Sequence, residues 1–213
     1  IVVDGKGTAT GNFQLNITAP VPKIFFVKNP GGNDTNPGTQ AAPWLTLAKA
    51  FAAAVAGDIV YFVPSTYASP GVAPTNSGTS VNPINFLADT TCAYSAGVVG
   101  GCTPGPVTVT SSATTHTVSF SSRSYHRFEN FTVQAPTTSA TSAIYVSGGG
   151  NHVIRNNTIT GSSTNAKRGI YVLGSSVNNL VTQNNITLTG STSNRGIYLT
   201  SGTNNTFSYN TVT

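Results

Sequence analysis

The 213-residue sequence contains no methionine, only five acidic residues, and no apolar run of bilayer length. Without Met, Ile1 is not a translation start, so the chain is expected to be a processed form or an excerpt of a longer one. No secretory leader pattern opens it, and no segment predicts a membrane-spanning helix. Charged residues make up 7% of the chain, but a 38% hydrophobic share with regular patterning argues against disorder. One large domain, or one domain plus a fragment, fits this length.

The few charges are unevenly placed. Residues 1–89 carry Lys6, Lys23, Lys28 and Lys49 against Asp4, Asp34, Asp58 and Asp89, whereas residues 90–213 carry six bases and Glu129 alone. The bases are scattered except at Lys167-Arg168, which excludes a nucleic-acid footprint and leaves a weak attraction to acidic polymers. Cys92 and Cys102 are the only cysteines, ten apart in the Gly-rich "CAYSAGVVGGC". Metal binding would want more Cys or His at closer spacing, so a loop-closing disulfide and an oxidising compartment are predicted. Sequons at Asn16, Asn33, Asn130, Asn156, Asn185 and Asn204 are expected by chance in a chain so rich in Asn and Thr.

Residues 1–20 form a separate segment. "DGKGTATGNFQLNITAP" reads as a turn followed by an alternating strand, with Phe13, Leu15 and Ile17 on one face. It resembles the last strand of Ig-like or cadherin-like modules; the alternative is a strand that complements a neighbouring sheet. Beyond it, Ile24 to Val27 predicts a short strand. Thr46 is a good N-cap, and Leu47, Ala50, Phe51, Ala54 and Val55 predict a single-faced helix over about 46–56 that stops at Gly57. The stretch "FVKNPGGNDTNPGTQAAPWLTLAKAFAAAVAGDIVYFVPSTY" resembles the opening of right-handed parallel β-helix proteins of the pectate-lyase-like superfamily. "SGTSVNPINFLAD" continues the resemblance, and matching segments extend over residues 24–213. The resemblance implies an all-β, right-handed parallel β-helix over residues 21–213, with the helix as an N-terminal cap.

Periodicity supports the same fold independently. Phe128, Ile154, Val181 and Phe207 lie 26, 27 and 26 residues apart, and Val133, Ile159, Ile186 and Val212 repeat those intervals. Ile144, Ile170 and Ile197 follow at 26 and 27, each just before a tyrosine: Tyr145, Tyr171 and Tyr198. Repeats of 26–27 residues from about residue 125 mean a solenoid whose coils stack equivalent residues in columns. Aliphatic and Phe columns should fill the interior, and Asn157, Asn184 and Asn210 should stack at a turn and hydrogen-bond along the stack.

Relatives in this superfamily include polysaccharide lyases, which hold calcium with clustered acids, and hydrolases, which use carboxylate pairs. After Glu129 there is no acid at all, Asp34 and Asp58 sit in turn and strand-entry motifs, and Asp89 is alone. Residues 1–213 therefore read as non-enzymatic, with no cofactor and no metal. His116, His126 and His152 lack partners at metal spacing and read as exposed or rim positions. The candidate binding residues are Arg155, Arg168, Arg195, Tyr145, Tyr171 and Tyr198. Arg168 and Arg195 are 27 apart, each precedes "GIY", and a column of them could meet sulfated or carboxylated glycans; otherwise they are two solvated arginines at a turn. The tyrosines alternate with inward Ile and Val, so they should face outward and could pack a sugar, a partner subunit or a loop. Thr132, Thr158 and Thr211, and Thr160, Thr187 and Thr213, make columns like those of ice-binding solenoids, but Gln134 and Asn185 interrupt them.

"SYNTVT" stops in mid-coil, so more coils should follow or the open end should dock on another copy, giving a head-to-tail filament. These features together predict an extracellular structural or adhesive β-helix whose partners are itself or cell-surface glycans. The alternative is a carbohydrate-active β-helix: a lyase or hydrolase with its catalytic acids outside this stretch, or a glycan-binding module.

Overall fold

The computed structural model describes residues 21–111, 115–137, 141–162, 167–191 and 193–213. The strand expected over residues 11–18, with both of its roles, lies outside the described residues. The rest coils into a parallel β-helix with three sheets. Sheet A runs β1 (Ile24–Val27), β2 (Ile59–Phe62), β4 (Ile84–Ala88), β7 (His126–Glu129), β10 (Val153–Arg155), β13 (Leu180–Thr182) and β16 (Thr206–Ser208). Sheet B runs β3 (Ser65–Ser69), β5 (Val107–Ser111), β8 (Thr132–Gln134), β11 (Thr158–Ser162), β14 (Asn185–Thr189) and β17 (Thr211–Val212). Sheet C holds β6 (His116–Ser121), β9 (Thr141–Ser147), β12 (Lys167–Leu173) and β15 (Arg195–Leu199).

Each strand pairs in parallel with its equivalent one coil away, so the sequence period becomes a spatial column. Phe128, Ile154, Val181 and Phe207 are in register in sheet A. Val133, Ile159, Ile186 and Val212 are in register in sheet B, and Ile144, Ile170 and Ile197 in sheet C. Most of these side chains are wholly buried in one continuous core. Burying each contributes about 1.5–3 kcal/mol, which is how a chain with so few charges and such short strands holds its coils together.

The coil turns its corners on single residues. Asn130, Asn156, Gln183 and Tyr209 all have φ between 54° and 69°, and they mark the bend from sheet A to sheet B. Tyr125, Asn151, Asn178 and Asn204, at φ 55–60°, mark the bend into sheet A. Asparagine tolerates this left-handed region better than other non-glycine residues, which explains its enrichment here.

The residue after each bend points inward and bridges coils. The Oδ1 of Asn157 accepts the Phe131 N–H at 3.0 Å, Asn184 accepts that of Asn157 at 3.0 Å, and Asn210 that of Asn184 at 3.0 Å. The Asn157 amide also donates to Asn184 Oδ1 at 3.0 Å, so the expected stack is present. A second ladder lines the other bend. Asn205 accepts from Asn179, Asn179 from His152, and His152 Nδ1 from the His126 N–H, at 3.0, 3.0 and 3.3 Å.

The single helix among the described residues, α1 (Leu47–Ala53), is capped by Thr46, whose hydroxyl accepts the Lys49 N–H. It is shorter than the expected 46–56. Ala54 turns extended (φ −63°, ψ 138°), and Asp58 Oδ2 captures the Val55 N–H at 2.9 Å, which closes the turn before Gly57. Val55 is therefore exposed rather than on the packed face. Leu47, Ala50 and Phe51 are buried, and Phe51 packs on Phe86 and Phe120 at the N-terminal side of the core.

Candidate binding face on sheet C

On sheet C the inward positions are Ile144, Val146, Ile170 and Val172, so the residues between them face outward. Register aligns Tyr145, Tyr171 and Tyr198 in one outward column. Three residues upstream on each strand, His116, Ser142, Arg168 and Arg195 align in a second. The two columns interlock through flat side chains. Arg168 lies over the rings of Tyr171 and Tyr198 at 4.6 and 5.2 Å, and Arg195 over Tyr198 at 4.1 Å. The tyrosine rings follow one another at 5.5 and 5.1 Å. His116 stacks on Tyr145 at 4.0 Å with planes 5° apart, and its Nδ1 meets Ser142 Oγ at 2.7 Å.

This arrangement can hold anions. Stacking fixes a guanidinium plane, and guanidinium N–H groups suit carboxylate or sulfate oxygens. Burial, and then the positive charge of Arg168, lowers the His116 pKa below the usual 6.5, so His116 is neutral at pH 7. Tyr171 and Tyr198 lie half-buried under guanidinium groups, and Tyr145 under the His116 ring.

Five of the six candidates meet on this face; Arg155 does not. It lies on sheet A, where its Nε and Nη2 donate to Glu129 Oε2 at 3.2 and 2.6 Å. Sequence reasoning also missed His116, although its 26-residue spacing to Ser142 and Ser142's to Arg168 signalled the column. His126 and His152, expected on the rim, are buried inside instead, stacked 5.2 Å apart beside Phe120. They occupy inward ladder positions, where a ring nitrogen can replace an asparagine oxygen.

Asp34 and Asp58 have local roles. Asp34 accepts from the Leu45 and Thr46 N–H groups and the Thr46 hydroxyl, and so braces the helix cap. On sheet B the threonine columns are in register with Asn185 and Gln134 still among them, beside a groove of about 360 Å³ over Ala135 and Gly161. Cys92 and Cys102 form the expected disulfide. Among the described residues no helix is long and apolar enough to cross a membrane.

The coil geometry defines a parallel β-helix protein. The chain belongs to the family described as "Right handed beta helix region", whose model matches residues 107–213. Residues 30–72 match a second model, "Protein of unknown function (DUF1565)". Among solved structures, a rhamnogalacturonan lyase is similar with a TM-score of 0.54 and 20% identity, over 79% of this chain and 43% of that one. The native GH136 lacto-N-biosidase from Eubacterium ramulus is similar with a TM-score of 0.53 and 14% identity, over 79% of this chain and 36% of that one. At these identities the likeness is one of fold, and this chain spans less than half the length of either neighbour. No curated protein sequence matches the chain.

Proposed function

We propose that this β-helix is an extracellular glycan-binding element that takes acidic polysaccharide along sheet C. The observation that carries the proposal is the pair of stacked arginines, Arg168 and Arg195, one coil apart on a tyrosine column. A repeating polyanion suits a repeating cation array, because each added coil presents its charge at a fixed spacing. Both named structural neighbours are carbohydrate-active enzymes, which supports a saccharide partner. The head-to-tail filament finds no support among the described residues.

Electrophoresis through gels containing polygalacturonate or a sulfated polysaccharide tests the proposal. Wild type should be retarded, and the Arg168→Ala/Arg195→Ala variant should migrate as in a blank gel. Equal retardation of both proteins would remove the proposal. Assaying the same mixtures for new reducing or unsaturated ends separates the enzyme alternative, since a binder releases none.

A further inference from the structure

A second cavity, of about 340 Å³, opens over the outer face of sheet A, and its lining carries carboxylates where sheet C carries arginines. Its lining includes Tyr61, Tyr94, Asp89, Glu129 and Asn130. Tyr94 is 58% exposed and lies flat on the buried Tyr61, with ring centres 4.3 Å apart and planes at 9°. An aromatic ring held flat against a second ring and open to solvent is a stacking platform.

The platform is rigid. It sits on the loop closed by the Cys92–Cys102 disulfide. Gln40 donates to the Tyr94 carbonyl at 2.9 Å, and the Tyr94 N–H donates to Asp89 Oδ2 at 2.8 Å. The two carboxylates are also fixed before any ligand arrives. Asp89 takes the N–H groups of Ala93, Tyr94 and Ser95 at 2.7–2.9 Å, and Glu129 is pinned by Arg155. Burial, then neighbouring Tyr94 and Asp89, raises the Tyr61 pKa and keeps its phenol a donor.

The geometry points to this cavity as a binding site for a neutral sugar. One face of a pyranose is a patch of C–H groups that packs on a flat ring. Its hydroxyls suit a rim of fixed carboxylate acceptors with amide and hydroxyl neighbours such as Asn130 and Thr90. The lining has no Lys or Arg for the uronic or sulfated units that sheet C would attract, so the chain would hold two saccharides of different charge on two faces. This site stands apart from the sheet C proposal and survives its failure.

Calorimetric titration with neutral gluco-, xylo-, manno- and galacto-oligosaccharides tests it. At least one should bind, Tyr94→Phe should bind within about twofold of wild type, and Tyr94→Ala should lose on the order of tenfold, as expected for one stacking contact. Arg168→Ala/Arg195→Ala should bind the same sugar unchanged. Tyr94 is exposed, so its variants should fold, and circular dichroism checks this. The site is refuted if no sugar in the panel binds, if Tyr94→Ala binds as wild type does, or if binding is lost with the sheet C arginines. Capture of choline with no sugar bound would also refute it, because the platform would then be a cation cage.

Discussion

Arginine and histidine each occur in two settings in this molecule, and the contrast shows how a solenoid assigns roles. On the outer face of sheet C, Arg168 and Arg195 lie on tyrosines in columns without an acidic residue. On sheet A, Arg155 is held by Glu129. His116 shares the outer face with the first pair, while His126 and His152 are buried in a ladder. A residue's column, rather than its type, decides whether it meets solvent, a partner or the core.

The largest effect should come from acid. Burial lowers the pKa of His126 to about 4, with the charge of Arg123 adding slightly, and lowers that of His152 to about 3, with His126 adding to it. In the unfolded chain both return to about 6.5. Their contribution to stability should therefore be constant above pH 6.5 and fall below it, as the unfolded state takes up protons that the fold refuses. The loss is up to about 1.4 kcal/mol per pH unit per histidine, and it ends near pH 4 for His126 and near pH 3 for His152. Urea melts from pH 7 to pH 4 measure this. His152→Asn, which restores the ladder's usual side chain, should remove its share of the slope.

Next in size, Tyr198→Ala removes the platform under both guanidinium groups and should weaken acidic-glycan binding by about tenfold, while Tyr198→Phe should keep most of it. A smaller change is expected with pH. A sulfated glycan keeps its charge, so its affinity should rise by a few fold as pH falls below 6.5 and His116 gains a proton beside the anion. His116→Gln should abolish that rise, as calorimetry at two pH values would show. Smallest of all on binding, Arg155→Ala should change acidic-glycan affinity by less than about twofold, while its loss beside the buried Glu129 carboxylate should lower stability.

Much of the fold was legible because a fixed period converts directly into register. The columns of Phe128, Val133 and Ile144, and the Asn157 stack, could be counted along the chain before any coordinate was known. The histidines were not legible from their titration chemistry, since imidazole serves equally at a rim or in a ladder. Their positions carried the answer: His126, His152, Asn179 and Asn205 keep the 26, 27 and 26 spacing of a bend column. Of the binding face, the arginine and tyrosine columns were visible, but their interlocking was not, because it runs diagonally between two columns. The helix end depended on one side-chain bond from the Val55 N–H to Asp58, which propensity does not register. The cavity over sheet A was hidden because Asp89 and Glu129 are forty residues apart in sequence and adjacent only across coils.

A structure of the protein with a bound oligogalacturonide tests the central claim most directly. The glycan should lie across the coils of sheet C with successive carboxylates against Arg168 and Arg195. A ligand bound on another face, or on sheet C without contact to either arginine, would contradict it.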